Sequence, residues 1–181
     1  METVQARQTA ELVLPGVLIG FVAGAVAGGV ALVGDLSTGY AITTALALGL
    51  PLAVFGMGYD LLLAAGRLRL GGVAPAALYW LVAFPLARAM HEILFDVASG
   101  RPISLPDAVV PFLVYQAILS VGFAIGFVWL HEYVFPRWWV RVRDHNPIAA
   151  RYVEQYTRQA ARMQRSKEQS KKKPPDGSSP G

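Results

Sequence analysis

Apolar residues fall in four long blocks, separated by short polar or glycine-rich stretches. The blocks run from about Val13 to Val33, Ala41 to Ala65, Ala74 to Val97 and Ala108 to Leu130. A helix crossing about 30 Å of hydrocarbon needs about 20 apolar residues, and each block meets that length. The pattern predicts an all-α fold: a polytopic four-helix transmembrane bundle over residues 13–135, behind a short cytoplasmic N-terminal segment, residues 1–12. The first block carries too little charge at its front (Arg7 against Glu2 and Glu11) to read as a cleaved signal peptide.

A different kind of sequence follows. Ile148, Tyr152, Tyr156, Ala160 and Met163 recur at helical spacing, flanked by Arg151, Arg158, Arg162 and Arg165. Asn146-Pro147 is a helix-start signal. Residues 136–165 therefore read as an interfacial, basic amphipathic helix lying on anionic lipid headgroups or on a partner. No nucleic-acid-binding motif accompanies the charge. Residues 166–181, dominated by Lys, Ser, Pro and Gly, read as a disordered tail.

Composition sharpens this picture. Of 181 residues, 54% are hydrophobic and none is Cys, which excludes disulfides, thiolate metal sites and cysteine nucleophiles. The net charge of +4 is unevenly spread. Eleven Lys/Arg stand against four Asp/Glu from Arg137 onward, and five against eight before it. Basic residues in short loops mark the cytoplasmic side. Arg67 and Arg69 lie between blocks two and three, on the same side as the basic tail. Both termini are thus expected in the cytoplasm, in a multi-pass protein of the cell (cytoplasmic) membrane.

Aromatic residues frame the blocks. Tyr79 and Trp80 near the start of block three, and Trp129 and Tyr133 at the end of block four, suit the headgroup level. Pro136 is expected to break the fourth helix. Arg137, Trp138, Trp139, Arg141 and Arg143 then read as lipid-headgroup contacts.

Small residues and prolines suggest how the helices pack. Gly16, Gly20, Gly24 and Gly28 form a glycine-zipper pattern on one face of the first helix, and Gly122 and Gly126 repeat the spacing in the fourth. Small residues let helix backbones approach closely in lipid. The two ridges would pack the first helix on the fourth, or would serve a homo-oligomer or a larger membrane complex. Pro51 and Pro85 should kink the second and third helices, and Gly49, Gly56 and Gly58 make the second the most deformable.

Candidate chemistry is concentrated in block three, where Arg88, His91, Glu92 and Asp96 interrupt apolar sequence. A charge at the centre of a spanning helix costs about 2.5–3.5 kcal/mol on insertion scales and usually marks a partner, a pathway or a site. Tyr115 and Gln116 in block four fall at a similar depth and would join the same hydrogen-bonded network. Alternatively, Arg88 and Glu92, four residues apart, neutralise each other, or the stripe meets a polar residue of another subunit. Asp60, near the inner end of the second helix, reads as a carboxylate neutralised by Arg67, Arg69, His131 or Arg137, or as a proton-coupling group. His91-Glu92 and His131-Glu132 belong to opposite ends of their helices and cannot share a metal. The H-E-x-x-H spacing of metalloproteases is absent. No metal, cofactor or catalytic set is therefore expected. Leu14-Pro15 to Phe21 and Leu105-Pro106 to Phe112 share an L-P-x5-F pattern, too little to make a repeat.

Three functions remain open. The first is a non-catalytic structural or accessory subunit, or a self-associating membrane protein. The second is a small transporter or channel using Arg88, His91, Glu92 and Asp60. The third is a membrane enzyme acting on lipid near His91 and Glu92.

Overall fold

The structure, a computed structural model, describes residues 2–68, 72–104 and 106–172. Among them there are five helices and no strand: α1 (Glu2–Val33), α2 (Thr38–Ala64), α3 (Val73–Ala98), α4 (Val109–Val142) and α5 (Pro147–Lys172). Four of these, α1 to α4, are long and apolar enough to cross a membrane. The shortest of the four, α3, has 26 residues. It extends about 39 Å at 1.5 Å per residue, more than a hydrocarbon core of about 30 Å.

Several boundaries differ from the sequence reading, each for a local reason. Helix α1 begins at Glu2 and runs through Pro15, so residues 2–12 belong to it. Pro136 does not end α4, which continues to Val142. A proline removes one rung of the helical ladder but does not forbid the next turn. Within the 136–165 segment the basic helix starts at Pro147, where the Asn146-Pro147 signal puts it, because Asn146 caps it: its Oδ1 accepts from the Ile148 and Ala149 N–H groups at 3.2 and 3.3 Å. Helix α5 also carries on through Lys172, so residues 166–172 are helical. The rest of the expected disordered tail, residues 173–181, and Arg69 lie outside the described residues.

The first three helices end alike. After α2, Gly66 N–H bonds the Leu63 carbonyl and Arg67 N–H the Leu62 carbonyl. After α3, Gly100 and Arg101 bond Val97 and Asp96 in the same way. After α1, Asp35 and Leu36 bond Leu32 and Ala31. Each pair is a Schellman cap, whose pivot residue takes a positive φ. Gly66 and Gly100 supply it at φ 70° and 67°, and Asp35 at 58°.

The chain divides into two compact units, Met1–Trp138 and Trp139–Gly181. In the first, α1 and α2 lie closest. A Cβ placed on Gly20 would sit 2.5 Å from Ala53 Cα, one on Gly24 2.5 Å from Gly49 Cα, and one on Gly28 2.8 Å from Ala45 Cβ. Gly16 meets the Gly56 carbonyl in the same series. As α1 advances from 16 to 28, its contacts on α2 fall from 56 to 45, so the pair is antiparallel. The sequence expectation that the two glycine ridges pack α1 and α4 together is therefore corrected. The first glycine ridge lies against α2, and Gly122 and Gly126 of α4 have nothing within 4 Å.

Aromatic side chains, being larger, join α3 to α4. The Trp80 ring lies 4.6 Å from both Phe123 and Phe127, and Phe84 lies 4.9 Å from Phe123. Trp80 is fully buried, so it is a core residue and not a headgroup anchor. Tyr79 also turns inward and donates to the Phe55 carbonyl at 2.6 Å. In the second unit Trp139 stacks on Tyr152 at 4.4 Å and meets Tyr156 edge-on at 6.0 Å. Burial lifts the Tyr152 hydroxyl above its ordinary range, while the nearby Arg151 charge pulls the other way.

Candidate functional site

The most deeply buried ionisable side chains among the described residues are not those of the block-three cluster but Asp60 and His131, in a contact among α1, α2 and α4. Asp60 projects from the last turns of α2 with a side chain that is 0% exposed, and His131 from α4 with one that is 2% exposed. His131 Nε2 and Asp60 Oδ1 are 2.9 Å apart. The second carboxylate oxygen, Oδ2, accepts the backbone N–H of Gly16 at 2.8 Å. Only a glycine fits there, because a Cβ on residue 16 would lie 2.5 Å from that oxygen. Both carboxylate oxygens thus have a donor. Tyr59, Phe127 and Phe135 wall the imidazole, with ring centroids 5.3, 5.4 and 3.8 Å from it.

Pro15 explains why α1 takes part in this contact. It has no N–H, so the carbonyl of Glu11, four residues earlier, loses its helical partner. The Trp138 indole of α4 donates to that carbonyl at 2.7 Å. The very next N–H, that of Gly16, serves Asp60. Around Pro15, α1 thus makes two interhelical hydrogen bonds, to α4 through Glu11 and to α2 through Gly16.

The block-three cluster closes on itself. Arg88 donates to Glu92 Oε1 at 2.9 Å and reaches His91 Nδ1 at 2.8 Å. A guanidinium can only donate, so Nδ1 accepts and the neutral imidazole carries its hydrogen on Nε2. The longer His91–Glu92 approach, 3.4 Å, then joins two acceptors and is proximity, not a bond. Nε2 is buried without a hydrogen-bond partner, and so is Gln116 Oε1 on α4. The expected shared network does not form: no bond joins Gln116 to this cluster, and Tyr115 is 59% exposed on the outside of α4.

Asp96 leaves the stripe and organises the loop after α3. It accepts the Ser104 N–H and hydroxyl at 2.9 and 2.8 Å, and Arg101 reaches its other oxygen at 2.7 Å. The Arg101 guanidinium also lies 5.0 Å from the Phe95 ring centroid. Asp96 is therefore a loop clamp separate from Arg88 and Glu92.

The expected headgroup residues divide. Arg137, Arg141 and Arg143 are exposed, and Arg137 stacks over Tyr133 at 3.9 Å. Trp139, 1% exposed, is a core residue of the second unit and has no surface to offer lipid. Trp138 is committed to Glu11. Among the described residues no group of three or more His, Asp or Glu could hold a metal ion.

In the sequence Asp60 stands out as a candidate, with four equal neutralisers: Arg67, Arg69, His131 and Arg137. The signal for His131 was present: it sits between Phe127 and Phe135 at four-residue spacing, on an aromatic face, at the same end of its helix as Asp60. The signal for Trp138 was Pro15, which leaves a carbonyl needing a donor.

Compared with protein-family models, curated proteins and solved structures, the chain matches none. Its class rests on its own features: an all-helical chain with four helices long and apolar enough for a multi-pass membrane protein.

Proposed function

We propose that this chain is a small multi-pass protein of the cytoplasmic membrane, acting as a non-catalytic subunit that associates with itself or with a larger membrane complex. The observation that carries this reading is the unequal use of its glycines. Gly16, Gly20, Gly24 and Gly28 of α1 are occupied by α2, whereas Gly122 and Gly126 of α4 meet nothing, beside exposed Ile118, Ile125 and Trp129. Lipid tails are as apolar as the helices, so a close backbone approach is what a small-residue pair adds. Arg88 and Glu92 satisfying each other fits the same reading, since a neutralised pair needs no substrate.

The basic residues Arg67, Arg137, Arg141 and Arg143, with those of α5, support an orientation with both termini cytoplasmic. Purification in mild detergent followed by mass spectrometry tests the subunit reading. A second copy or a second membrane protein is expected, and it should be lost on Gly122→Leu/Gly126→Leu. Recovery of a lone monomer overturns the reading.

A second reading, a small proton-coupled transporter, draws on the Asp60–His131 contact. It joins three helices next to a proline-interrupted turn, and interrupted helices line ion sites in transporters. Unchanged proton flux on Asp60→Asn in reconstituted vesicles removes it.

A further inference from the structure

The two halves of α5 differ in what they have left to offer. In the first half the apolar stripe is already used. Tyr152 and Tyr156 pack on Trp139, Ala149 is fully buried, and Ile148 is partly covered. Those residues cannot also lie in lipid. From Thr157 onward the described side chains are exposed, and Met163 is the only large apolar one among them. This half carries Arg158, Arg162, Arg165, Lys167, Lys171 and Lys172 against a single acid, Glu168. A helix of this kind has charge to attract a surface but no apolar face to insert into one.

We propose that residues 157–172 form an electrostatic arm that lies on an anionic lipid surface at headgroup level without entering the acyl chains. This rests on the membrane reading of α1 to α4. Charge complementarity selects the occupant. Anionic leaflets attract basic segments by about 1 kcal/mol per Lys/Arg near the surface, an effect confined to about a Debye length. Six basic residues against one acid suffice for that without the buried apolar area that an amphipathic anchor needs. Arg158 is partly engaged by Glu154, its neighbour one turn back. Arg162 and Arg165 continue along the helix. The amphipathic lipid anchor expected from the spacing of Ile148 to Met163 is thereby replaced by a purely ionic one.

The chain has no cysteine, so a single introduced thiol reports one position. Ala161→Cys, exposed and spaced three and four residues from Arg158 and Arg165, carries a fluorophore in the full-length protein. The protein is placed in nanodiscs of phosphatidylcholine alone or mixed with phosphatidylglycerol, with nitroxide quenchers at the headgroup or deep in the acyl chains. The expected result is headgroup quenching only with phosphatidylglycerol, abolished in about 1 M salt, where the Debye length falls to about 3 Å. Arg158→Gln/Arg162→Gln/Arg165→Gln should lower the ratio of surface-held to free arm about 100-fold, at about 1 kcal/mol per residue and tenfold per 1.4 kcal/mol, read as release at a lower salt concentration. Equal quenching in the two lipids overturns the proposal, and so does acyl-chain quenching that survives salt. Absence of quenching together with a mobility change on adding an RNA oligomer overturns it in favour of nucleic acid. Val114→Cys on the exposed face of α4 is the separate control. Acyl-chain quenching there, whatever the headgroup, is required by the membrane reading, and its absence sinks that reading and not the arm alone.

Discussion

His131 and Asp60 show how much rests on single residues in an apolar bundle. Replacing His131 by Ala strips one donor from a carboxylate whose side chain is fully enclosed. Breaking a buried pair from one side costs about 3–5 kcal/mol, because the remaining charge is left uncompensated. In bilayers the interhelical bond itself is worth less, averaging about 0.6 kcal/mol, since the unfolded chain also finds partners. The desolvated charge should therefore dominate over the bond. His131→Ala and Asp60→Ala are each expected to destabilise by about 3 kcal/mol, and the double variant by clearly less than their sum. Denaturant titration of the detergent-solubilised protein measures this, and strict additivity would show that the two groups do not interact. Trp138→Phe is the milder test. It keeps an aromatic ring but leaves the Glu11 carbonyl without its donor. A loss of about 1 kcal/mol is expected from one hydrogen bond to a part-buried acceptor.

At the scale of helices, the two glycine series make opposite predictions. Gly20→Ala puts a methyl 2.5 Å from Ala53 Cα, where backbone and not a flexible side chain must move. Overpacking of this kind costs about 1–3 kcal/mol. In the single chain, dissociated from the proposed assembly, Gly126→Ala meets open space and gains the helix preference of Ala over Gly, about 0.8–1.0 kcal/mol. Thermal melts of the two variants should therefore shift in opposite directions, and equal shifts would contradict the α1–α2 register. Both series were legible in the sequence as spacing, but not their partners. Spacing fixes a face; which helix fills that face depends on what stands opposite. Here α2 answers with Ala41, Ala45, Gly49, Ala53 and Gly56, its own small residues at three- and four-residue steps. On α3 the local i,i+4 pair Arg88–Glu92 was readable for the same reason that helix caps are, since both partners lie on one element. The Asp60–His131 contact spans 71 residues of sequence, and only the shared depth and the aromatic face around His131 hinted at it. The end of α4 is not legible from Pro136, because a proline costs one hydrogen bond without stopping the helix.

For the whole molecule, the four long helices were the clearest message of the sequence, since hydrophobic length depends on no long-range contact. If α1 to α4 each cross the bilayer, the α1–α2 and α3–α4 loops lie on one side, and the α2–α3 loop and α5 on the other. The first side carries only Arg101 among Lys and Arg, and that residue is bound to Asp96. The second carries Arg67 and the basic helix. Basic residues are retained on the cytoplasmic face during insertion, so Leu36→Cys and Ser99→Cys should react with a membrane-impermeant maleimide in intact cells. Ala65→Cys and Ala161→Cys should react only after permeabilisation. All four positions are exposed, so a failure to label reports the barrier and not local burial. The reverse labelling pattern would invert the orientation while leaving four crossings in place. Labelling of all four in intact cells would remove the crossings themselves, and with them the reason for the apolar surface of α4.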